Sequence, residues 1–129
     1  MNPCIHRPLV LATLALALSA CRDVTRICTD EARPGLTLRV KDAATNDWAA
    51  SGATLIAVDE RGAMDSTSMP AGRPELDSLP LFGAYEHPGT FRITVRKSGY
   101  RDWVQTGVLV TSDECHVRLT QLLALLQRS

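Results

Sequence analysis

Net charge is absent from this 129-residue sequence, in which 14 lysines and arginines balance 14 aspartates and glutamates. Nucleic-acid binding requires a basic field that neutralises phosphates, and a neutral chain offers none. The balance gives no reason to expect an acidic partner either. The length allows one domain rather than two.

Several motifs of common enzymes and metal sites are also missing. No glycine-rich loop precedes a helix, and Ser66, Ser68 and Ser78 lack a surrounding Gly-x-Ser-x-Gly turn. No Cys-x-x-Cys pair offers zinc its usual spacing. The acidic pairs Asp59–Glu60 and Asp113–Glu114 lack the regular spacing of a calcium loop and are interpreted as solvated turn residues. We therefore expect no catalytic residue, no metal and no cofactor.

The N-terminus has the organisation of a targeting segment. The uncharged run Leu9–Ala20 follows Arg7, and it is too short to cross a bilayer, which takes about 20 apolar residues. A positive start, a short apolar run and a small-residue exit are typical of a secretory signal, predicted here over residues 1–20. The alternative is a buried N-terminal helix, but nothing caps such a helix and the charged Arg22 and Asp23 follow at once.

The exit of this segment, Leu18-Ser19-Ala20-Cys21, resembles the lipobox of bacterial lipoproteins. The resemblance implies that Cys21 receives diacylglycerol and becomes the new N-terminus after cleavage. Two or three acyl chains form a stable anchor, whereas one gives only marginal binding. In Gram-negative lipoproteins an aspartate directly after the cysteine favours the inner membrane, and Arg22 occupies that place here. We therefore expect a bacterial envelope protein anchored through lipid on Cys21, at the outer membrane and facing the periplasm.

The remaining cysteines predict a disulfide. Cys4 leaves with the signal and Cys21 carries lipid, so Cys28 and Cys115 form an even pair in an oxidising compartment. The alternative is two free or metal-bound thiols. The segment between Cys21 and Cys28 is short, so at about 3.3–3.6 Å per residue the folded body lies within roughly 25 Å of the membrane. Residues 21–33 are thus interpreted as a lipidated N-terminus and a short tether.

From Pro34 onwards the sequence has the alternation of β-strands. Leu36, Leu38 and Val40 alternate with polar residues, and the same pattern recurs at 91–96. A more apolar strand at 53–58 is expected to be central. A further strand at 103–110 contains Gly107, which indicates a bulge.

The rest of the chain is less regular. Residues 59–80 are predicted to form a long loop with one short strand around 63–69. The tail 119–126 fits either a helical stripe or alternation, and we favour a final strand. Short strands without an interior helix predict an all-β fold, an antiparallel sandwich of about seven strands over residues 34–129.

Four segments resemble carboxypeptidase-regulatory-like, or transthyretin-like, domains. Gly83–Phe91 and Arg92–Tyr100 have their Pro-Gly, aromatic, strand and Gly-Tyr order, while Leu38–Ala43 and Ser51–Leu55 resemble their first strand and turn and the start of their second strand. The resemblance implies an Ig-like or prealbumin-like sandwich and, in that family, mostly accessory modules of larger enzymes or transporters. The long loop at 59–80 departs from the compact turn of that family.

Two turns within these segments have a physical basis of their own. Pro88-Gly89 is predicted to form a tight turn, because proline presets φ and glycine accepts positive φ. Phe91 then begins the inward face. Gly99 permits a sharp turn before Tyr100, whose ring is expected to cover the core edge while its hydroxyl stays hydrated.

Two functional hypotheses follow from these features. The first is a non-catalytic, membrane-tethered sandwich that binds an envelope protein or has a structural role. The second is a small-molecule or glycan site, hydrolytic in one version, that uses the 59–80 loop with Trp48 and His87; a site at the subunit interface of an oligomer is a variant. Trp48 and Trp103 are more typical of core or half-core positions. Clustering of Trp48 and His87 in a cleft would favour the second hypothesis.

Overall fold

Seven strands form the framework of the protein in the computed structural model, which describes residues 26–129. The strands are β1 Leu36–Asp42, β2 Thr54–Asp59, β3 Met64–Ser68, β4 Leu81–Gly83, β5 Gly89–Arg96, β6 Trp103–Val110 and β7 Thr120–Leu126. The one helical element in this range is a 3₁₀ turn at Pro74–Leu76. The predicted signal segment 1–20 and Cys21 lie outside the described residues.

The strands form two sheets that enclose one core. A three-stranded sheet has the order β4-β1-β7, and a four-stranded sheet has the order β3-β2-β5-β6. Leu36, Leu38 and Val40 of the first sheet are fully buried, as are Ile93 and Val95 of the second. Burial of each such side chain contributes about 1.5–3 kcal/mol. The expected all-β sandwich of seven strands is therefore confirmed.

One strand pairing departs from the expected antiparallel arrangement. β1 and β7 pair in parallel, from Leu36 opposite Thr120 to Asp42 opposite Leu126. Parallel neighbours require a long crossover connection, and the whole of the four-stranded sheet lies between these two strands in the chain. The wide sequence separation of β1 and β7 is thus what permits the parallel pair.

The irregular middle of the chain contains the short strand that the sequence predicts. β3 pairs antiparallel with β2, and β2 lies between β3 and β5, as expected for a central strand. The predicted bulge is also present. Thr106 and Gly107 together oppose Arg92, since Phe91 pairs with Val108 and Ile93 with Gln105. Gly107 has φ 68°, a conformation that favours glycine.

The turn before β5 lies earlier than predicted. The backbone N–H of His87 donates to the Ala84 carbonyl at 3.2 Å, and Gly89 already belongs to β5. Proline disfavours a helical conformation in the residue before it, so the turn ends at His87. Ala84 and Glu86 adopt φ values of 53° and 48°. The prediction of a tight turn at Pro88-Gly89 is therefore wrong by a few residues.

The turn at Gly99 is confirmed, but the environment predicted for Tyr100 is incomplete. Gly99 has φ 81°, and the N–H of Tyr100 donates to the Lys97 carbonyl at 3.1 Å. The Tyr100 ring packs against the core. Its hydroxyl has a protein partner that the sequence interpretation did not include: it donates to Asp42, whose side chain is buried. A buried carboxylate requires donors, and Tyr100 supplies one.

Candidate functional site

The segment ahead of β1 is attached to the sandwich by a disulfide between Cys28 and Cys115, which are 87 positions apart. Their Cα atoms lie 5.3 Å apart, within the usual range for a disulfide. The predicted pairing is confirmed, and these two thiols are neither free nor metal-bound. The bond joins the predicted tether to the connection between β6 and β7.

A chain of polar contacts extends this attachment. Thr29 Oγ1 lies 2.9 Å from His116 Nε2, and His116 Nδ1 lies 2.8 Å from Glu86 Oε1. The N–H of Arg33 donates to the same Glu86 oxygen at 2.7 Å. We name Cys28, Thr29, Arg33, Glu86, Cys115 and His116 the tether junction. The junction connects the N-terminal segment with the β4–β5 turn and the β6–β7 connection.

Glu86 holds an uncommon backbone conformation within the tether junction. Its φ is 48°, which costs a non-glycine residue about 1–2 kcal/mol. Its own N–H donates to the Arg33 carbonyl at 3.0 Å. The N–H of Arg33 lowers the pKa of Glu86, with a further contribution from His116, although burial opposes the shift. Glu86 therefore remains a carboxylate that accepts from both partners.

Hydroxyl, imidazole and carboxylate follow one another here in the order of a hydrolase triad. A hydrolase also requires a cavity that brings substrate to the hydroxyl. A shallow groove of about 490 Å³ lies beside the junction and is lined by Glu31, Arg33, Pro34, Asp113, Val117, Arg118 and Leu119. Thr29, His116 and Glu86 do not line this groove. The chain of contacts from Thr29 through His116 to Glu86 joins the tether to the sandwich.

The ion pairs further along the tether add little to this attachment. Arg26 lies 3.2 Å from Glu114, but both side chains are about 70% exposed. Arg33 and Glu31 lie 3.6 Å apart and are also largely exposed. Exposed pairs of this kind contribute about 0–1 kcal/mol. Attachment therefore depends on the disulfide and on the contacts of His116, whose side chain is only 10% exposed.

Trp48 and His87 lie at opposite ends of the sandwich. His87 lies two residues before the start of β5, whereas Trp48 is adjacent to Ala49, whose carbonyl accepts from the Lys97 side chain just beyond the end of β5. β5 has 8 residues, which at about 3.3 Å per residue gives a separation of roughly 25 Å. The structure does not bring these two residues together in a cleft.

Each of the two residues has a local structural role. His87 Nε2 lies 2.9 Å from Asp59 Oδ2. Trp48 is half-buried at the edge of β1, and the cations of Arg39 and Lys41 lie 4.9 Å and 4.5 Å from its ring centroid. Trp103 is half-buried against the core. The half-core prediction is confirmed for Trp103, whereas Trp48 packs against the outward-facing Arg39 and Lys41 and not against the core.

The environment of Asp59 corrects the sequence interpretation of this residue as solvated. Its side chain is only 4% exposed, and Oδ1 accepts from the N–H groups of Arg61 and Ala63. Burial raises the pKa of Asp59, but these two N–H groups and His87 outweigh it, so the pKa lies below its usual value. Asp59 is thus a buried turn-stabilising residue and not a solvated one, because the tight turn after β2 directs two N–H groups at it.

Asp113 also organises a turn. Its Oδ1 accepts from the N–H groups of Cys115 at 2.8 Å and His116 at 2.9 Å, so it shapes the loop that carries the disulfide. The N–H groups of His116 and Cys115 hold the pKa of Asp113 below its usual value. Within residues 26–129, no three His, Cys, Asp or Glu side chains are grouped so as to hold a metal ion.

Apart from Arg33, which takes part through its backbone, the sequence interpretation missed three members of the tether junction: Thr29, Glu86 and His116. Two of them carry a usable signal. Thr29 follows Cys28 and His116 follows Cys115, so a disulfide between the cysteines brings their neighbours within reach. Glu86 offers no such signal, because its position depends on where the β4–β5 turn lies.

Comparison with known proteins adds no relative. No family model matches the sequence, and no curated protein matches it. Between residues 26 and 129, no helix has the length and apolar character needed to span a membrane.

Proposed function

We propose that this protein is a bacterial envelope lipoprotein, a non-catalytic β-sandwich held to the membrane by lipid on Cys21. It faces the periplasm, at the outer membrane, and serves as a binding or structural module for an envelope protein. Its sandwich is proposed to be of the carboxypeptidase-regulatory-like kind that the Gly83–Tyr100 region resembles.

The observation that carries the proposal is the disulfide between Cys28 and Cys115. Disulfides form and persist in oxidising compartments and are rare in the cytosol. A disulfide-bonded domain therefore supports export, which is what the segment 1–20 predicts independently. The disulfide also uses the two cysteines that remain once Cys4 and Cys21 are assigned to the signal and the lipid.

The position of the tether junction supports the same interpretation. Cys28 is attached to the body of the sandwich, and Cys21 precedes it by a segment that spans roughly 25 Å at full extension. A domain with such an attachment stays close to the membrane that holds its lipid. This arrangement suits a module that contacts envelope components near the bilayer surface.

The separation of the candidate site residues favours a non-catalytic module over the small-molecule alternative. Trp48 and His87 lie at opposite ends of the sandwich, and His87 is engaged with Asp59. The groove beside the tether junction is shallow, and four of its seven lining residues are charged. Ligand sites are usually enclosed and mostly apolar.

The proposal is tested by metabolic labelling with an alkyne fatty acid in a Gram-negative host that expresses the full chain. Wild-type protein is expected to carry the label and to appear as processed protein. Cys21→Ser is expected to lose the label and to accumulate as precursor. The matched control Cys4→Ser is expected to carry the label and to be processed like the wild type. Unlabelled wild-type protein, or a labelled Cys21→Ser variant, would overturn the anchor.

A binding partner is sought by crosslinking the labelled protein in native membranes, followed by mass spectrometry. Recovery of one specific envelope protein, lost when the exposed Arg73 and Glu75 of the 59–80 segment are both replaced by alanine, is expected for a binding module. Recovery of abundant background proteins alone would count against it.

A further inference from the structure

The outward side of the three-stranded sheet carries large apolar side chains that nothing in residues 26–129 covers. Leu123 and Leu125 of β7 are 49% and 45% exposed, and Leu119, which continues the same alternation ahead of the strand, is 47% exposed. Phe82 of β4 is 37% exposed. Contiguous exposed apolar surface marks an interaction site more often than scattered single residues do.

Two cations lie directly beside these leucines. The parallel register places Arg39 opposite Leu123 and Lys41 opposite Leu125. Trp48 forms a bridge with Lys41, and both cations lie over its ring. We name the outward residues of this sheet, together with Leu119 and Trp48, the outer face; its members on the strands are Thr37, Arg39, Lys41, Phe82, Gln121, Leu123 and Leu125.

The outer face has the chemistry of a surface that lies on phospholipid. Its strand positions include no acidic side chain, and Asp47 lies in the turn beyond them. Leucines next to cations and a tryptophan are typical of interfacial membrane binding. Lysine and arginine extend past an apolar patch to reach headgroups, and a tryptophan ring suits the boundary between apolar and hydrated layers.

The position of the tether indicates that the membrane covers the outer face. The disulfide loop around Cys115 leads directly through Val117 and Arg118 to Leu119, so the tether joins the sandwich at one end of the outer face. β7 has 7 residues and extends roughly 23 Å at about 3.3 Å per residue. A lipid on Cys21, held within roughly 25 Å of Cys28, brings the whole face within reach of the bilayer.

We propose that the outer face lies on the anionic phospholipid surface of the membrane that holds Cys21. The leucines enter the headgroup boundary, Arg39 and Lys41 contact lipid phosphates, and Trp48 marks the depth of contact. The four-stranded sheet then faces the periplasm and remains open to protein partners. This inference rests on the proposed lipid anchor and adds an orientation to it.

A second copy of the chain is the competing occupant. β7 is an edge strand, and no described strand pairs with its free side. Unprotected apolar edges tend to pair with other strands. A membrane would surround Trp48 and Leu123 with lipid, whereas a second copy would surround them with protein. One set of samples can therefore distinguish the two occupants.

The test uses mature lipidated protein in vesicles of phosphatidylethanolamine and phosphatidylglycerol with brominated acyl chains. The chain contains two tryptophans, so Trp103→Phe leaves Trp48 as the sole reporter, and Trp48→Phe leaves Trp103 as the control on the four-stranded sheet. Bromine quenches only rings at the bilayer. Trp48 emission is expected to be quenched and Trp103 emission to be unaffected.

Substitutions on the outer face sharpen the assignment. Leu123→Gln with Leu125→Gln is expected to abolish the quenching of Trp48 while lipid attachment and the melting temperature are kept, since both side chains are exposed. Val104→Gln is the matched control, because Val104 is 43% exposed on the other sheet. Arg39→Gln and Lys41→Gln are each expected to lower the ratio of docked to undocked domain roughly fivefold.

The outcomes separate the two levels of the proposal. Absence of lipid on Cys21 would overturn the anchor and the docking together. Lipidated protein whose Trp48 is not quenched would overturn the docking alone and leave the anchor standing. Crosslinking between two Leu123→Cys copies, with Trp48 unquenched, would assign the face to a dimer and likewise overturn the membrane contact.

Discussion

The Tyr100 hydroxyl donates a hydrogen bond of 2.8 Å to the carboxylate of Asp42, a residue 58 positions earlier in the chain. Arg128 Nε donates to the same oxygen at 2.8 Å. The other carboxylate oxygen accepts from the N–H groups of Ala44 and Thr45. The buried Asp42 thus joins the end of β1 to the turn after β5 and to the residues after β7.

Removal of the Tyr100 hydroxyl is expected to destabilise the domain. Tyr100→Phe leaves the buried Asp42 carboxylate with one donor fewer, and loss of a hydrogen bond to a charged group lowers the melting temperature of a domain this size by roughly 5–10 °C. Tyr85→Phe is the matched control, because Tyr85 is 51% exposed, and it is expected to change little. Thermal unfolding followed by circular dichroism measures both. Equal melting temperatures for the two variants would contradict the role of this bond.

Stability is expected to fall in acid because of the same carboxylate. The Tyr100 hydroxyl, and after it Arg128, holds the pKa of Asp42 well below its usual range. The unfolded chain then binds a proton at a higher pH than the folded chain does. The contribution is complete above about pH 5 and is lost as the pH falls below about 4 towards the folded pKa.

The pH dependence is measured as the urea midpoint between about pH 7 and pH 2. Asp59, Glu86 and Asp113 also have lowered pKa values and act with the same sign, so the comparison needs a variant. Arg128→Gln is expected to reduce the fall of the urea midpoint with decreasing pH, which we call the acid limb. The matched control Arg92→Gln, at an exposed position of β5, is expected to leave the acid limb unchanged. Acid limbs of equal slope in these two variants would argue against the linkage.

The disulfide is expected to contribute more stability than any other single feature of the tether junction. In the chain-entropy model a crosslink over a loop of this order contributes roughly 4–5 kcal/mol. Cys28→Ala with Cys115→Ala is expected to lower the free energy of unfolding accordingly and to make the domain insensitive to reductant. Urea unfolding with and without reductant measures this. A wild-type midpoint that reductant does not shift would refute the contribution.

The fold could be predicted from local patterns where burial is one-sided. Leu36, Leu38 and Val40 alternate cleanly with polar residues because one side of β1 faces the core and the other faces outward. The tail was ambiguous because Leu123 and Leu125 are apolar but exposed. Alternation of apolar and polar residues identifies side chains that face the core. It therefore cannot identify outward-facing leucines, such as those that the proposed membrane contact would bury.

Long-range relationships could not be predicted from the sequence. The parallel pair of β1 and β7 depends on a crossover that no local motif encodes. The bond between Asp42 and Tyr100 was missed because an aspartate in a predicted turn has the pattern of a solvated residue. Glu86 was missed for a similar reason, since its role depends on a turn whose position was predicted a few residues too late.

The disulfide shows the opposite case. Cys28 and Cys115 could be paired from the sequence because the predicted signal segment and the predicted lipidation site account for the other two cysteines, which leaves a single possible partner for each. The inference required no geometry. The disulfide also brings the neighbours Thr29 and His116 within reach of each other, a signal that the sequence interpretation did not use.

The most direct test of the account is the intact mass of the protein purified from the membranes of its native cells without reduction. The account predicts a chain that begins at Cys21, carries diacylglycerol or a further acyl group there, and lacks the two hydrogens removed by the Cys28–Cys115 disulfide. A mass for a chain that retains Met1, or for one that is cleaved but has no lipid, would contradict the membrane anchor on which the proposed function depends.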